Sequence, residues 1–265
     1  MMETGARKPD VIRDSSRRMF MSNPQRVALV TGASRGIGAA IAERLGQDGL
    51  AVVVAFSGDE EGARAVVRRI EAAGGRALAS RVDIRDASAV QAVFDATEKA
   101  FGGLDVLVNN AGVMELGRID EMTDDTFSRQ LSVNLMGSFH AMREASRRLR
   151  RGGSIVNLSS SVVRLLQPTY GPYAATKAAI EALTMVLARE LRGRDITVNA
   201  LAPGPTATEL FLKGKPPAVV EQLTKAPPLE RLGTPEDIAR AVSFLAGPDG
   251  RWVNGQVLRA NGGLV

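Results

Sequence analysis

The chain has 265 residues, 45% of them hydrophobic and 24% charged, with no cysteine and a single histidine. Disulfides, thiol nucleophiles and cysteine-ligated metals are excluded, and one histidine cannot build a histidine metal cluster or a Ser-His-Asp triad. The formal charge of +5 raises nucleic acid as a partner, but the densest basic stretch, Arg143 to Arg151, closes a helical pattern and has no interleaved aromatics to stack on bases.

In chain order, residues 1–24 interrupt themselves with Lys8, Asp10, Arg13, Asp14, Arg17 and Arg18. They lack the apolar core of a secretory signal and read as a polar, poorly ordered extension, with Met19 and Met21 as alternative translation starts. Residues 25–265 fit one domain. Strands are expected at Val27–Val30, Leu50–Ala55, Ala77–Val82, Val106–Asn109, Ser154–Leu158, Thr197–Leu201 and Gln256–Leu258. Most are Val/Ile/Leu-rich without alternation, as in strands buried on both faces of a parallel sheet. Helical patterns at Gly38–Gln47, Glu60–Ala73, Ala87–Phe101, Asp124–Leu149 and Pro172–Arg192 fall between them. This βα order predicts an α/β fold, a doubly wound Rossmann-type parallel sheet of about seven strands flanked by helices. The stretch Pro203 to Thr234, rich in Pro and Gly around the apolar Leu210-Phe211-Leu212, reads as a lid over a ligand. No apolar run approaches the ~20 residues that span a bilayer, so no membrane partner and a cytoplasmic location are expected. His140, on a helical pattern, reads as a packing or interface residue.

Two motifs carry chemistry. Val27–Val30 runs into Thr31-Gly32-Ala33-Ser34-Arg35-Gly36-Ile37-Gly38 and then a helix, the context a dinucleotide-binding turn requires. Gly32 serves the tight turn, Gly36 the approach of a pyrophosphate and Gly38 the helix–strand packing, with the helix N-terminus facing the phosphates. A carboxylate at the end of the second strand would hold the 2′-OH of NAD, but the chain reads Val54-Ala55-Phe56-Ser57-Gly58, with no acid before Asp59. Arg35 and Ser57 could instead grip a 2′-phosphate, so NADP(H) is the expected cofactor and no metal is expected. The second motif is Tyr173 with Lys177 at i+4, on one helix face one turn apart. The ammonium and the helix N-terminus should pull the phenol below its usual value near pH ~10, making Tyr173 a general acid and base. Ser159, Ser160 and Ser161 stand together at the end of a strand, and spacing alone does not separate them.

Together with Asp83-Ile84, Asn109-Asn110-Ala111-Gly112, Asn134 and Pro203-Gly204, these motifs resemble the short-chain dehydrogenase/reductase superfamily from about Gln25 to Val265. The flavour is that of 3-oxoacyl-[acyl-carrier-protein] reductases and glucose-dehydrogenase-like reductases. The resemblance implies that Asp83 holds the adenine amino group beside the Ile84 backbone, and that Asn110, Ala111 and Gly112 line the adenosine-ribose side. It gives Pro203, Gly204, Thr206 and Thr208 to the carboxamide and diphosphate. Ser160 would bond the substrate oxygen, Asn134 would anchor a water in a proton relay, and Lys177 would hold the nicotinamide ribose. The implied enzyme interconverts a small-molecule carbonyl and a secondary alcohol. A non-catalytic NADP-binding sensor would not need the Ser/Tyr/Lys set, and an epimerase would need a further substrate domain. Val162, Gln167, Tyr170, Pro205 and Leu210–Leu212 would border a largely apolar or mixed pocket. The second long helix carries Ala175, Ala178, Ala179, Ala182, Met185, Val186 and Ala188, a stripe wider than one core-facing side needs. With the resemblance, it implies a two-fold pairing through the long helices and a homotetramer completed near the C-terminus.

Overall fold

The computed structural model describes residues 25–265; the N-terminal extension expected over 1–24 lies outside them. Seven strands form one parallel sheet: β1 (Val27–Thr31), β2 (Ala51–Phe56), β3 (Arg76–Arg81), β4 (Leu104–Asn109), β5 (Leu149–Leu158), β6 (Thr197–Pro203) and β7 (Val257–Ala260). Their order is β3-β2-β1-β4-β5-β6-β7, and every pairing is parallel. The expected α/β sheet is present, each strand within a few residues of its expected place. β5 starts earliest against expectation: Leu149-Arg-Arg-Gly-Gly joins β4 through an irregular register at Leu104/Val106, and no residue pattern marks such a bulged entry.

Helices cover both faces. On one side lie α1 (Gly36–Gln47), α2 (Glu60–Ala72) and, late in the chain, α10 (Pro235–Ala246). Ile41, Val66, Ile70, Ile238 and Leu245 from these three helices bury against Val52, Val54 and Val106 of the sheet. On the other side lie α3 (Ala87–Phe101), α5 (Ser138–Arg148) and α7 (Gly171–Glu190). They seat Phe94, Met142 and Ile180 on Leu29, Val53 and Leu107. Burial of this apolar surface, at roughly 25 cal/mol per Å², is what drives the layers together. α10 escaped the sequence reading, although Thr234 and Asp237 form a reciprocal capping box with Pro235 at its first position.

The expected single helix Asp124–Leu149 is three pieces: α4 (Asp124–Gln130), a π-helical turn (Leu131–Gly137) and α5. Short α6 (Val162–Leu165), α8 (Glu209–Leu212) and α9 (Pro217–Lys225) complete the chain. The expected lid over Pro203–Thr234 thus holds two helices. The strand order reverses between β1 and β4: the chain winds outward from β1 to β3, then returns to β4 and continues to β7. A crevice therefore opens at the carboxyl ends of β1 and β4, the place where open α/β sheets take ligands.

Candidate active site

The glycine turn lies at that crevice. Gly32 has φ +63°, and Gly38 faces the turn so closely that a Cβ there would collide with the Gly32 carbonyl oxygen and Asn110 Nδ2. The turn is tied to the end of β4 by side chains as well. Asn110 Nδ2 donates to the carbonyls of Thr31 (2.9 Å) and Gly32 (3.0 Å). The Thr31 hydroxyl accepts from the backbone N–H of Asn110 and Ala111, each at 3.0 Å. Asn110 thus shapes the cradle, and Thr31, which the motif reading passed over, is its counterpart. No side chain fills the space over Gly36, whose nearest neighbour to an added Cβ would be Thr208 at 3.6 Å. The backbone leaves the α1 N-terminus open, with no side-chain cap at Arg35. These features fit a bound diphosphate.

At the far end of the turn, Arg35 and Ser57 are both exposed. Arg35 Nη1 stands 3.6 Å from Glu209, the first residue of α8. Arg81, not singled out in the sequence, donates Nε to the Ser57 carbonyl at 3.1 Å. With Arg64 and Arg68 it rims a groove of about 510 Å³ floored by Phe56, Val67 and Ala79. A carboxylate able to hold a 2′-OH is absent from Phe56–Gly58; Glu60, which also lines the groove, pairs with Arg64 at 2.5 Å, and Arg68 pairs with Glu61 at 2.7 Å. Asp83 spends both carboxylate oxygens on Arg85, at 2.5–3.0 Å, which holds its pKa below the usual range. An adenine amino group would share those oxygens. The Ile84 carbonyl accepts from His140 Nδ1 at 3.1 Å, so that nitrogen carries the ring proton. The lone histidine is therefore a buried packing residue with one defined bond.

The structure resolves the three serines. Ser159 Oγ donates to the buried Glu181 carboxylate at 2.7 Å. Ser161 Oγ accepts from Asn261 Nδ2 at 3.1 Å, and its N–H donates to the Pro203 carbonyl at 2.9 Å. Of the three only Ser160 acts on the Tyr173 phenol, lowering its pKa, and its Oγ accepts from the Val162 N–H at 3.4 Å. Glu181 and Asn261 lie far from the serines in sequence, so no local pattern could have disclosed them.

Tyr173 lies in the first turn of α7 and Lys177 one turn on, their separation 5.7 Å from Nζ to ring centroid. Lys177 is buried and donates Nζ to the Leu158 carbonyl at 2.8 Å. The expectation that the phenol is tuned downward does not hold. Burial pushes the Tyr173 phenol up to about 12, against the opposing hydrogen bond from Ser160. The same burial pushes Lys177 down to about 8. The ammonium meets a carbonyl rather than the phenolic oxygen, so desolvation outweighs attraction for both groups.

Asn134 is fully buried in the π-helical turn. Its Oδ1 accepts from the Val113 N–H at 2.8 Å, and its Nδ2 donates to the Val113 carbonyl at 2.9 Å and to Thr176 Oγ1 at 3.3 Å. The widened turn sets this amide where an α-helix would not, as π-turns at functional sites do. A Cβ at Gly112 would be 3.3 Å from Asn134 Oδ1 and 3.7 Å from Lys177 Nζ, so these three meet. Pro203 ends β6, and Gly204 packs against Asn261. Thr206 Oγ1 bonds the Gly204 carbonyl, and Thr208 Oγ1 caps α8. The two threonines hold the start of the lid at the crevice. Among the described residues no cluster of metal-ligating side chains occurs, and no helix is long and apolar enough to cross a membrane.

A family model described as Enoyl-(Acyl carrier protein) reductase matches residues 32–265. A short-chain type dehydrogenase/reductase of Picea abies is 46% identical over 250 residues, spanning 91% of this chain and 92% of that protein. The chain belongs to the short-chain dehydrogenase/reductase superfamily. An Arabidopsis thaliana relative named NADPH-dependent aldehyde reductase 2, chloroplastic, is 43% identical over 91% of this chain and 94% of its own. A solved short-chain dehydrogenase from Burkholderia cenocepacia J2315, in complex with NADP, superposes with a TM-score of 0.86 at 41% identity, covering 91% of this chain and 98% of that one. The fold and the family follow together from these matches.

The displaced Lys177 pKa has a measurable consequence. Below about pH 8 the folded protein must charge a buried amine, at full cost; between about pH 8 and the ordinary 10.5 only the unfolded chain binds that proton. Stability therefore rises with pH across this window, on the order of 3 kcal/mol in all. Denaturant titrations of the cofactor-free protein from pH 7 to 10 should show Lys177→Met flattening that rise relative to the unsubstituted chain. Parallel curves for the two proteins would disprove the buried charge.

Proposed function

We propose that residues 25–265 form one NADP(H)-dependent catalytic domain that interconverts a carbonyl and a secondary alcohol. The observation that carries this reading is the Ser160 hydroxyl on the Tyr173 phenol, with buried Lys177 one turn on, beside the open glycine turn. The similarity to a protein named as an NADPH-dependent aldehyde reductase and to an NADP complex supports it. The dinucleotide would be held by Gly32, Ser34, Arg35, Gly36, Ile37, Gly38 and Ser57 at its phosphates. Asp83 and Ile84 would face its adenine, Asn110 to Gly112 its ribose, and Pro203, Gly204, Thr206 and Thr208 its carboxamide end. When bound, the chemistry it supplies is hydride transfer at the carbonyl carbon.

The chain's own residues manage the proton. A phenol pushed up to about 12 stays protonated at neutral pH, so Tyr173 enters the reaction as an acid. Ser160, aimed at the same point, donates a hydrogen bond to the oxygen as negative charge develops on it. Lys177, beside Asn134 and Gly112, returns a proton toward Tyr173 and presents its remaining N–H bonds to ribose hydroxyls. The alternative, an NADP-binding sensor, leaves the Ser160–Tyr173–Lys177 arrangement without a purpose.

We further propose a homotetramer. Along α7, Ala175, Ala178, Ala182, Met185 and Val186 are exposed, while Ala188 faces the core. The small residues would let a second α7 approach closely. Beside edge strand β7, Phe244 and Leu258 are partly exposed and Trp252, the only tryptophan, is 99% exposed. An apolar helix face and an apolar sheet edge supply two self-complementary surfaces, enough for a closed assembly.

Tyr173→Phe should lower turnover at least a hundredfold while NADPH affinity stays within a few-fold, because only the acid is removed. Retention of more than about a tenth of the rate in steady-state assays would refute the assignment. For cofactor choice, Arg35→Ala should weaken NADPH by about 1.5–3 kcal/mol and leave NADH nearly unchanged in binding titrations. Equal losses for the two would show that Arg35 does not read the 2′-phosphate. Light scattering at micromolar concentration should give the tetramer mass; a dimer would retain only the α7 pairing, and a monomer neither surface.

A further inference from the structure

Residues 110–118 follow β4 and belong to no helix or strand. Two side-chain amides supply the bonds that a neighbouring strand would have given. Asn134 accepts from the Val113 N–H at 2.8 Å and donates to the Val113 carbonyl at 2.9 Å. Gln130 repeats the pattern two residues on. Its Oε1 accepts from the Glu115 N–H at 3.2 Å, and its Nε2 donates to the Glu115 carbonyl at 3.1 Å. Gly117, the next alternate residue, donates its N–H to the Thr169 carbonyl at 3.0 Å. Backbone polar groups need partners wherever water is excluded, and here two amides serve two residues completely.

The spacing suits the task. Residues four apart on a helix rise about 6 Å, and alternate residues of an extended chain advance about 6.6 Å. Amides one turn apart therefore meet residues two apart. Gln130 is fully buried, where an amide is tolerated only with both of its ends bonded. The chemistry described above makes no use of it.

The segment that Gln130 holds bridges the two halves of the site. At one end the Ala111 N–H bonds Thr31 of the glycine turn at 3.0 Å. At the other end Thr169 lies in the loop that enters α7 just before Tyr173. Between them, a Cβ on Gly112 would stand 3.7 Å from Lys177 Nζ. Asn134 reaches α7 as well, through Thr176, whose hydroxyl bonds the Tyr173 carbonyl at 2.8 Å.

We propose, resting on the reductase reading above, that Gln130 is a positioning residue for the reaction. By fixing Glu115 it sets the register of Val113–Glu115 on Asn134, and so keeps Gly112 and Asn134 placed against Lys177. It acts on the proton path through this segment, and its loss should cost turnover more than cofactor affinity.

The test uses the full chain and follows NADPH oxidation with a panel of aldehydes and ketones, NADPH affinity by fluorescence titration, and thermal melting. Gln130→Leu fills similar space and leaves the Glu115 backbone unbonded. Its kcat should fall about tenfold or more, with the NADPH Kd within a few-fold and the protein folded at the assay temperature. Gln130→Glu adds a readout that a purely structural residue would not move. A protonated carboxyl donates and accepts as the amide does, whereas an ionised one has no donor for the Glu115 carbonyl. Burial lifts the introduced carboxyl toward neutrality, so kcat relative to the unsubstituted chain should be near one at about pH 5.5 and fall about tenfold by about pH 8.5. The charged groups around it, Glu115 paired with Arg129 at 2.9 Å and Lys177 beyond Asn134, are common to both proteins and cancel in that ratio. A flat ratio, a loss confined to Tm, or an equal loss in kcat and NADPH affinity assigns Gln130 a structural role. Any of these overturns the proposal and leaves the reductase reading standing. If Gln130→Leu does not fold, the ratio for Gln130→Glu decides alone. No turnover of any carbonyl by unsubstituted protein that binds NADPH overturns the reductase reading and this inference with it.

Discussion

The Lys177 ammonium on the Leu158 carbonyl is the contact that ties the candidate site to the fold. It joins the last residue of β5 to the second turn of α7, and one turn further Glu181 takes the Ser159 hydroxyl. These two bonds fix the end of the strand against the helix from one side, while Asn261 takes Ser161 from the other. Ser160, between them, neighbours Tyr173 and takes the Val162 N–H on its own hydroxyl at 3.4 Å. The cost is a buried amine, and it is visible in the depressed pKa of Lys177. A site that gave up this bond would gain a normal lysine and lose the alignment of its acid.

The same logic of clasped strand ends recurs at the cofactor side. Thr31 and Asn110 exchange bonds between the β1 and β4 ends, and Asn109 reaches Asn157, which reaches Thr184 on α7. A row of buried amides and hydroxyls therefore crosses the sheet just beneath the crevice. Buried polar groups of this kind are stabilising only when every member is paired. Being paired, they hold the glycine turn, the serine turn and the tyrosine helix in one register.

Much of this was legible in the residues. The apolar runs placed all seven strands, and the turn from Thr31 to Gly38 announced its role because backbone demands select glycine there. Tyr173 and Lys177 were legible as a pair, but the direction of the phenol's pKa was not. Spacing reports that a cation lies one turn away; it does not report that the cation points at a carbonyl or that both groups are desolvated. The π-turn at Asn134 was equally hidden, since one extra residue per turn leaves the apolar period of Asp124–Leu149 nearly intact. Spacing did not separate Ser160 from its neighbours, though the family resemblance singled it out; in the fold Glu181 and Asn261 claim the other two. Bonds between residues distant in sequence leave no local mark.

The two ends of the crevice differ in how strongly they speak. At the adenosine end, Arg81 bonds the Ser57 carbonyl at a strand terminus without a carboxylate, and Arg35 stands exposed on the glycine turn, so a phosphate there finds donors. At the other end the side chains are aliphatic, and apolar contact discriminates by size and shape, with each methylene contributing little. Glu209 lies where the two regimes meet, on the first turn of the lid and within reach of Arg35. A phosphate at Arg35 would compete with that carboxylate for the guanidinium, and Thr208 beside it touches the space over Gly36. Glu209 and Thr208 thus bring the start of α8 up to the glycine turn.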